Sequence, residues 1–219
     1  MFDAKLIAIR INCIDTIIRI ETEMDTLWPL VSFAFASSIT PGPNNLMLAS
    51  SGVAFGLRRT LPHTLGVSTG FATLLIIAGA GIGALVANAP AAALGLKIFG
   101  TGYLAYLAWI MRHAFDGRPT DATARPIRFV EAALFQFANP KAWVMALTAM
   151  SVFMPADAER WAGVLLVSGV FVLVGLPCIL SWVALGVTVR RSLKNERRRR
   201  IFAAAIFVLM LYTIVAIWI

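Results

Sequence analysis

The stretch "SSITPGPNNLML", residues 37–48, interrupts a long apolar run with two prolines, a glycine and two asparagines. The run, residues 27–51, is long enough to cross a hydrocarbon core, which needs about 20 residues. Proline removes a backbone donor and clashes with the preceding turn, so the carbonyls that it frees need other partners in the protein interior. The stretch therefore predicts a membrane helix that is broken near its middle.

A second apolar run, residues 129–153, contains a similar interruption, "FQFANPKAW", residues 135–143. At 1.5 Å per residue, Pro41 and Pro140 lie roughly 16 to 21 Å from the starts of their runs, near the middle of a core about 30 Å thick. Paired interruptions in two halves of a membrane protein are typical of a transporter's binding site. The alternative is that each proline serves helix packing alone.

Composition and spacing give the fold class. Of the 219 residues 59% are hydrophobic and 14% charged, and the mean hydropathy is +0.82, which is typical of an integral membrane protein. Because each half has three spans, an odd number, the second half enters the membrane inverted. The sequence predicts an all-α integral membrane protein of two inverted three-helix repeats, 27–111 and 129–219, with broken first and fourth helices. The six transmembrane spans are expected at 27–51, 62–87, 92–111, 129–153, 161–189 and 201–219.

The basic residues indicate the orientation. The net charge is +8, but the Lys and Arg residues lie in short loops rather than on one soluble face, which argues against a nucleic-acid partner. Loops 1–2, 3–4 and 5–6 carry 13 of them, against 4 in the other loops and the N-terminal segment. By the positive-inside rule the first group is cytoplasmic and both termini face outward.

Residues 1–26 are treated as an N-terminal extension. Four charged residues interrupt the apolar pattern of "KLIAIRINCIDTIIRI", so it is neither a span nor the core of a signal peptide. It is either an interfacial amphipathic helix or a segment upstream of a translation start at Met24. No function is assigned to it.

Lys141 is the sharpest candidate for a functional residue. Its predicted depth of about 18 Å exceeds what a lysine stem can span to reach water, and charge at the centre of the core is unfavourable. The only acidic residue in the spans is Glu131, near a span end, so a substrate carboxylate is a natural partner for the ammonium group. Asn44 and Asn45 are expected either to hold the polar groups of the substrate or to join helices.

Two further features have packing interpretations. Gly66 and Gly70 form a GxxxG spacing that predicts close contact with another helix. His63, near the start of the second span, is either a titrating group or, as is more usual for a lone histidine at the interface, a residue with a packing or surface role.

Other classes of protein fit less well. A thiol-disulfide carrier needs two intramembrane cysteines, but of Cys13 and Cys178 only the second lies in a span. No HExxH or GxSxG spacing occurs, so we expect no enzyme, cofactor or metal site. A non-transporting membrane scaffold or assembly subunit stays open, although it does not explain Lys141.

The residues also carry a family resemblance. "ITPGPNNLMLASSGVAFGLRRTLPHTLGVSTG", residues 39–70, resembles the first-span signature of the lysine-exporter type (LysE/RhtB) efflux family. "LKIFGTGYLAYLAWIMR", residues 96–112, is similar to that family's Gly and Tyr-Leu pattern, and "FVEAALFQFANPKAWVMALTAMSVFMP", residues 129–155, resembles its Asn-Pro-Lys span. The last two spans match only in hydropathy.

The resemblance implies a six-span exporter of amino acids or their derivatives from the bacterial cytoplasm through the inner membrane. It also implies coupling to the proton gradient and, as in many members, a homodimer. A non-amino-acid solute is the alternative cargo. Many members have aspartate after Pro-Gly-Pro, where this chain has Asn44, so the usual carboxylate for coupling is absent. The motifs and their neighbours give a predicted substrate site formed by Pro41, Gly42, Pro43, Asn44, Asn45, Asn139, Pro140 and Lys141.

Overall fold

The structure is a computed structural model that describes residues 27–81, 91, 94–95, 98, 101–102, 105, 125–154, 159–192 and 195–216. Every regular element in these ranges is helical. The helices are α1 (Leu27–Ile39), α2 (Pro43–Phe55), α3 (Leu57–Gly79), α4 (Phe129–Ala138), α5 (Pro140–Val152), α6 (Arg160–Ser192) and α7 (Glu196–Ala216). The predicted N-terminal extension and most of the predicted third span lie outside the described residues.

Both predicted interruptions separate two helices. Residues 40–42 divide α1 from α2, and Asn139 divides α4 from α5. Pro43 and Pro140 occupy the first position of the helix that follows each break, where the missing N–H has no intrahelical partner to lose. The sequence placed both breaks correctly.

The second predicted span begins earlier than expected. Its start was predicted at residue 62, after the arginine pair, but α3 begins at Leu57. Arg58 and Arg59 are exposed on its first turn. The helix starts before the apolar segment because a charged pair ends an apolar segment without ending a helix. The early start places His63 well inside the helix, where it is fully buried. The burial fits the packing alternative for His63 rather than a surface role.

Within the described residues, two helices are long and apolar enough to cross a membrane by length and composition, Leu57–Gly79 and Arg160–Arg190. Shorter apolar helices cover Leu27–Ile39, Phe129–Ala138 and Arg200–Leu209. Large apolar side chains such as Leu134, Leu165 and Leu173 are exposed on the outside of the bundle. Such a surface fits lipid better than water.

Glycines allow the closest helix contacts. A Cβ on Gly186 of α6 would meet the carbonyl of Ala49 on α2, and a Cβ on Gly52 would lie 2.5 Å from the carbonyl oxygen of Val183. On α3, a Cβ on Gly70 would lie 2.6 Å from the Cα of Ala133. The close contact predicted from the glycine spacing of α3 is confirmed, with α4 as the partner.

This packing gives a stability prediction. Gly70→Ala should lower the free energy of unfolding by about 1 to 3 kcal/mol, because the added methyl group overlaps the Ala133 backbone, which cannot move aside as a flexible side chain would. Gly169→Ala on α6 is the matched control, since a Cβ there has no neighbour within 4 Å. Unfolding in mixed micelles would measure both variants. Equal free energies of unfolding would contradict the prediction.

Candidate functional site

The carbonyls at the end of α1 accept hydrogen bonds from side chains on other helices. Asn45 Nδ2, on α2, lies 2.8 Å from both the Ser38 and the Thr40 carbonyl oxygens. Trp182 Nε1, on α6, donates to the Ile39 carbonyl oxygen at 3.1 Å. These bonds supply the partners that a proline break in lipid requires.

Asn139 organises the second break. Its side-chain Oδ1 accepts a hydrogen bond from the Lys141 backbone N–H at 3.1 Å, which makes Asn139 the N-cap of α5. Asn139 is itself buried. The cap fixes the direction in which α5 starts and thereby the origin of the Lys141 side chain.

Lys141 joins the two breaks directly. Its ammonium Nζ lies 2.9 Å from the Thr40 hydroxyl, 3.1 Å from the Thr40 carbonyl oxygen and 3.5 Å from the Pro41 carbonyl oxygen. The C-terminal end of a helix is the negative end of its dipole and favours a cation. A Cβ on Gly42 would lie 3.0 Å from Nζ, so the glycine leaves room for the ammonium group. These oxygens solvate the charge but do not neutralise it.

A pair of amides forms a second link between the halves. Asn44 Nδ2 donates to Gln136 Oε1 at 2.8 Å, and Gln136 Nε2 donates back to Asn44 Oδ1 at 3.2 Å. Gln136 Nε2 also donates to the Ala132 carbonyl oxygen within α4 at 3.0 Å. Gln136 is 0% exposed and Asn44 is half-buried, so the pair links α2 and α4 at the edge of the interior.

A cavity opens where the breaks meet. Its volume is about 60 Å³, measured as the space that is open to the centre of a water-sized sphere. Its polar side includes Asn44, Gln136 and Lys141, and its apolar side includes Phe71 and Phe171, whose rings lie 5.4 Å apart. Among the described residues that line it there is no aspartate or glutamate. The cavity thus offers one cation, amide groups and an aromatic wall.

The family model for the LysE type translocator matches residues 35–217, most of the chain. The chain belongs to the LysE type translocator family. This membership indicates a translocator, and the apolar helices are consistent with an integral membrane protein.

The translocator is similar to curated efflux proteins. It is similar to a cysteine/O-acetylserine efflux protein of Escherichia coli O139:H28, with 26% identity over 90% of this chain and 98% of that protein. Proteins of the same name from Escherichia coli K12 and Salmonella typhimurium are also 26% identical, over 81% and 77% of this chain and 89% and 86% of their own length. No solved structure matches the chain.

The structure of the translocator brings most of the predicted site residues together around the cavity. The lining includes Gly42, Pro43, Asn44, Asn45, Asn139 and Lys141. Pro41 and Pro140 are absent from it and act through the backbone, Pro41 by presenting its carbonyl to Lys141 and Pro140 by starting α5. Both amide hydrogens of Asn45 are engaged by backbone carbonyls, which fits a role in shaping the break.

The sequence analysis missed Gln136 as a site residue. It lies in the quoted interruption "FQFANPKAW", and an uncharged polar residue in an apolar helix was the available signal. The identity of its partner, 92 residues earlier in the chain, could not be read from that signal.

Proposed function

We propose that this translocator exports small amino acids or their derivatives from the bacterial cytoplasm across the inner membrane, driven by the proton gradient. The observation that carries the proposal is the cavity between the two helix breaks, where the described residues around the Lys141 ammonium are all uncharged. The names of the curated relatives support cysteine and O-acetylserine as the first substrates to test.

Lys141 is assigned to the substrate carboxylate. The contact with the Pro41 carbonyl oxygen, at 3.5 Å, is the longest of the three ammonium contacts and the easiest to exchange for a carboxylate oxygen. Asn44 and Gln136 are assigned to the remaining polar groups of the substrate. Gly42, Pro43, Asn45 and Asn139, together with Pro41 and Pro140, hold the two breaks in the geometry that this binding needs.

The size and wall of the cavity favour a small, uncharged side chain. About 60 Å³ of space for the centre of a water-sized sphere suits a small substrate rather than a large one. Phe71, Met145 and Phe171 would contact the side chain, and no described lining carboxylate is available for a cationic one. This chemistry suits a side chain with a thiol, a hydroxyl or a short ester.

The proposed transport cycle uses the architecture inferred from the sequence. Six spans form two inverted repeats, 27–111 and 129–219, with the basic loops in the cytoplasm and both termini outside. The repeats rock about the cavity, so that the substrate enters from the cytoplasm and leaves to the outside. We also propose that the translocator works in the lipid bilayer as a homodimer.

Export is tested by feeding dipeptides to bacterial cells that contain the translocator or an empty vector, and measuring amino acids in the medium and in the cells. We expect several-fold faster release of cysteine or another small amino acid with the translocator. Dissipating the proton gradient should remove the difference. No difference for any amino acid, with the protein present in the membrane, would contradict the proposal and favour another solute or a scaffold role.

A further inference from the structure

A chain of buried hydroxyl groups lies between α2 and α3. Ser51 Oγ and Thr60 Oγ1 are 3.0 Å apart, and Thr60 Oγ1 donates to the Gly56 carbonyl oxygen at 2.8 Å. Thr64 Oγ1, one turn further along α3, donates to the Thr60 carbonyl oxygen at 3.1 Å. These groups follow α3 inward from the turn at Gly56.

His63 lies in the same part of α3 but is bonded to none of them. Its side chain is 0% exposed, and neither Nδ1 nor Nε2 has a hydrogen-bond partner in the described part of the chain. A neutral imidazole has one donor and one acceptor, and an unpaired buried polar group costs about 1 to 3 kcal/mol. An apolar side chain would avoid this cost, so packing alone does not account for the histidine.

Along α3, His63 lies between the cavity and the turn at Gly56. Val67 and Ser68, which line the cavity, lie four and five residues further along α3, a rise of about 6 to 8 Å. Thr60 lies one turn in the opposite direction, next to the Gly56 turn. His63 is therefore between the proposed substrate cavity and the end of the bundle that the charge distribution assigns to the cytoplasm.

Charged and titratable groups on the elements packed against α3 are few in the described ranges. The sequence of α2 contains none, and α5 contributes Lys141, which is bonded at the breaks. On α4, Glu131 is bonded to Arg125 and to the Arg128 N–H near the surface. On α6, Arg160 donates to the Gly79 carbonyl at the far end of α3. Arg190 of α6 lies near Gly56, at the start of α3. Cys178 of α6 is buried. Arg58 and Arg59 lie on the exposed first turn of α3 itself.

We propose that His63 is the proton-carrying residue of the transport cycle. The inference rests on the proposed proton-driven export, to which it adds the group that replaces the missing carboxylate at Asn44. A proton that enters through the outward-open cavity adds to the lone pair of the unprotonated ring nitrogen. The resulting imidazolium returns a proton to water on the cytoplasmic side, past the Thr60 and Ser51 hydroxyls. Histidine suits this exchange because a neutral imidazole accepts a proton on its free ring nitrogen and the imidazolium can donate one from either nitrogen.

The test uses the full chain, purified and reconstituted in liposomes, with radiolabelled cysteine kept reduced. One assay measures exchange of labelled for unlabelled cysteine without a pH gradient, which needs binding and rocking but no net proton movement. The other measures uphill accumulation driven by an imposed pH gradient. We expect His63→Gln to keep the exchange rate within about twofold of the parent. Its gradient-driven accumulation should be at least tenfold lower than that of the parent.

Ser50→Ala is the matched control, because Ser50 Oγ is also buried without a partner in the described residues but does not titrate. It should keep both activities. His63→Gln that accumulates cysteine like the parent, or that loses exchange and accumulation together while folded, would overturn the proposal. A parent protein inactive in both assays would instead contradict the proposed function.

A second measurement tests the proposal if the His63→Gln variant does not fold. The chain has two histidines, so in the His113→Gln variant His63 is the only histidine. The ¹⁵N chemical shifts of its ring should then report protonation between pH 5 and 9 in liposomes under turnover conditions. A ring that stays neutral throughout this range would overturn the proposal.

Discussion

Replacing Lys141 with methionine is expected to reduce export to the level of cells that lack the translocator. Methionine keeps an unbranched stem of similar shape but removes the ammonium group. The substrate carboxylate then enters a cavity whose described lining holds no other cation, and burying an unpaired carboxylate is strongly unfavourable. Release of cysteine from dipeptide-fed cells, normalised to the amount of protein in the membrane, would measure the effect.

The same variant can separate substrate binding from a structural role. Lys141 also holds the end of α1 through Thr40, so its loss could disturb the break itself. In liposomes, the parent should transport an amino acid at least about tenfold faster than its carboxamide, whereas Lys141→Met should lose amino-acid transport but still transport the carboxamide like the parent. Val144→Ala is the control, because Val144 lies on the same helix but is exposed on the outer surface of the bundle. An unchanged preference in Lys141→Met would contradict the assigned role.

Replacing Gln136 with alanine is expected to lower export at least about tenfold. The change leaves the Asn44 amide without its buried partner, which costs about 1 to 3 kcal/mol, and removes a polar group from the cavity wall. The loss should appear in initial rates of cysteine export at equal protein levels. Leu134→Ala on the same helix, at an exposed position, should export like the parent.

A double-mutant cycle tests whether the two amides act as a unit. Asn44→Ala should have an effect close to that of Gln136→Ala, and the double variant should be little worse than either single variant. Additive effects of the two substitutions would contradict a coupled pair. They would mean that each amide meets the substrate or the protein independently.

Some parts of this site were readable from the sequence and others were not. The breaks and the importance of Lys141 follow from local rules, because proline and a deep charge have the same consequence in any membrane helix. The partners of those groups depend on how distant helices pack. Nothing near Trp182 in the chain indicates that its indole meets the Ile39 carbonyl, 143 residues away. The start of α3 was predicted too late in the chain, because it was inferred from charge rather than from backbone geometry.

The bonds at the end of α1 bear on how tightly transport is coupled. Asn45, Lys141 and Trp182 hold three successive carbonyls from three different helices. At roughly 1 kcal/mol for each side chain, separating all three costs about 3 kcal/mol, or about a hundredfold in population. A substrate carboxylate that takes over one lysine contact lowers this barrier for the loaded carrier. Under the proposed proton-driven export, a carrier with neither substrate nor proton bound keeps the full barrier, so it rarely switches sides.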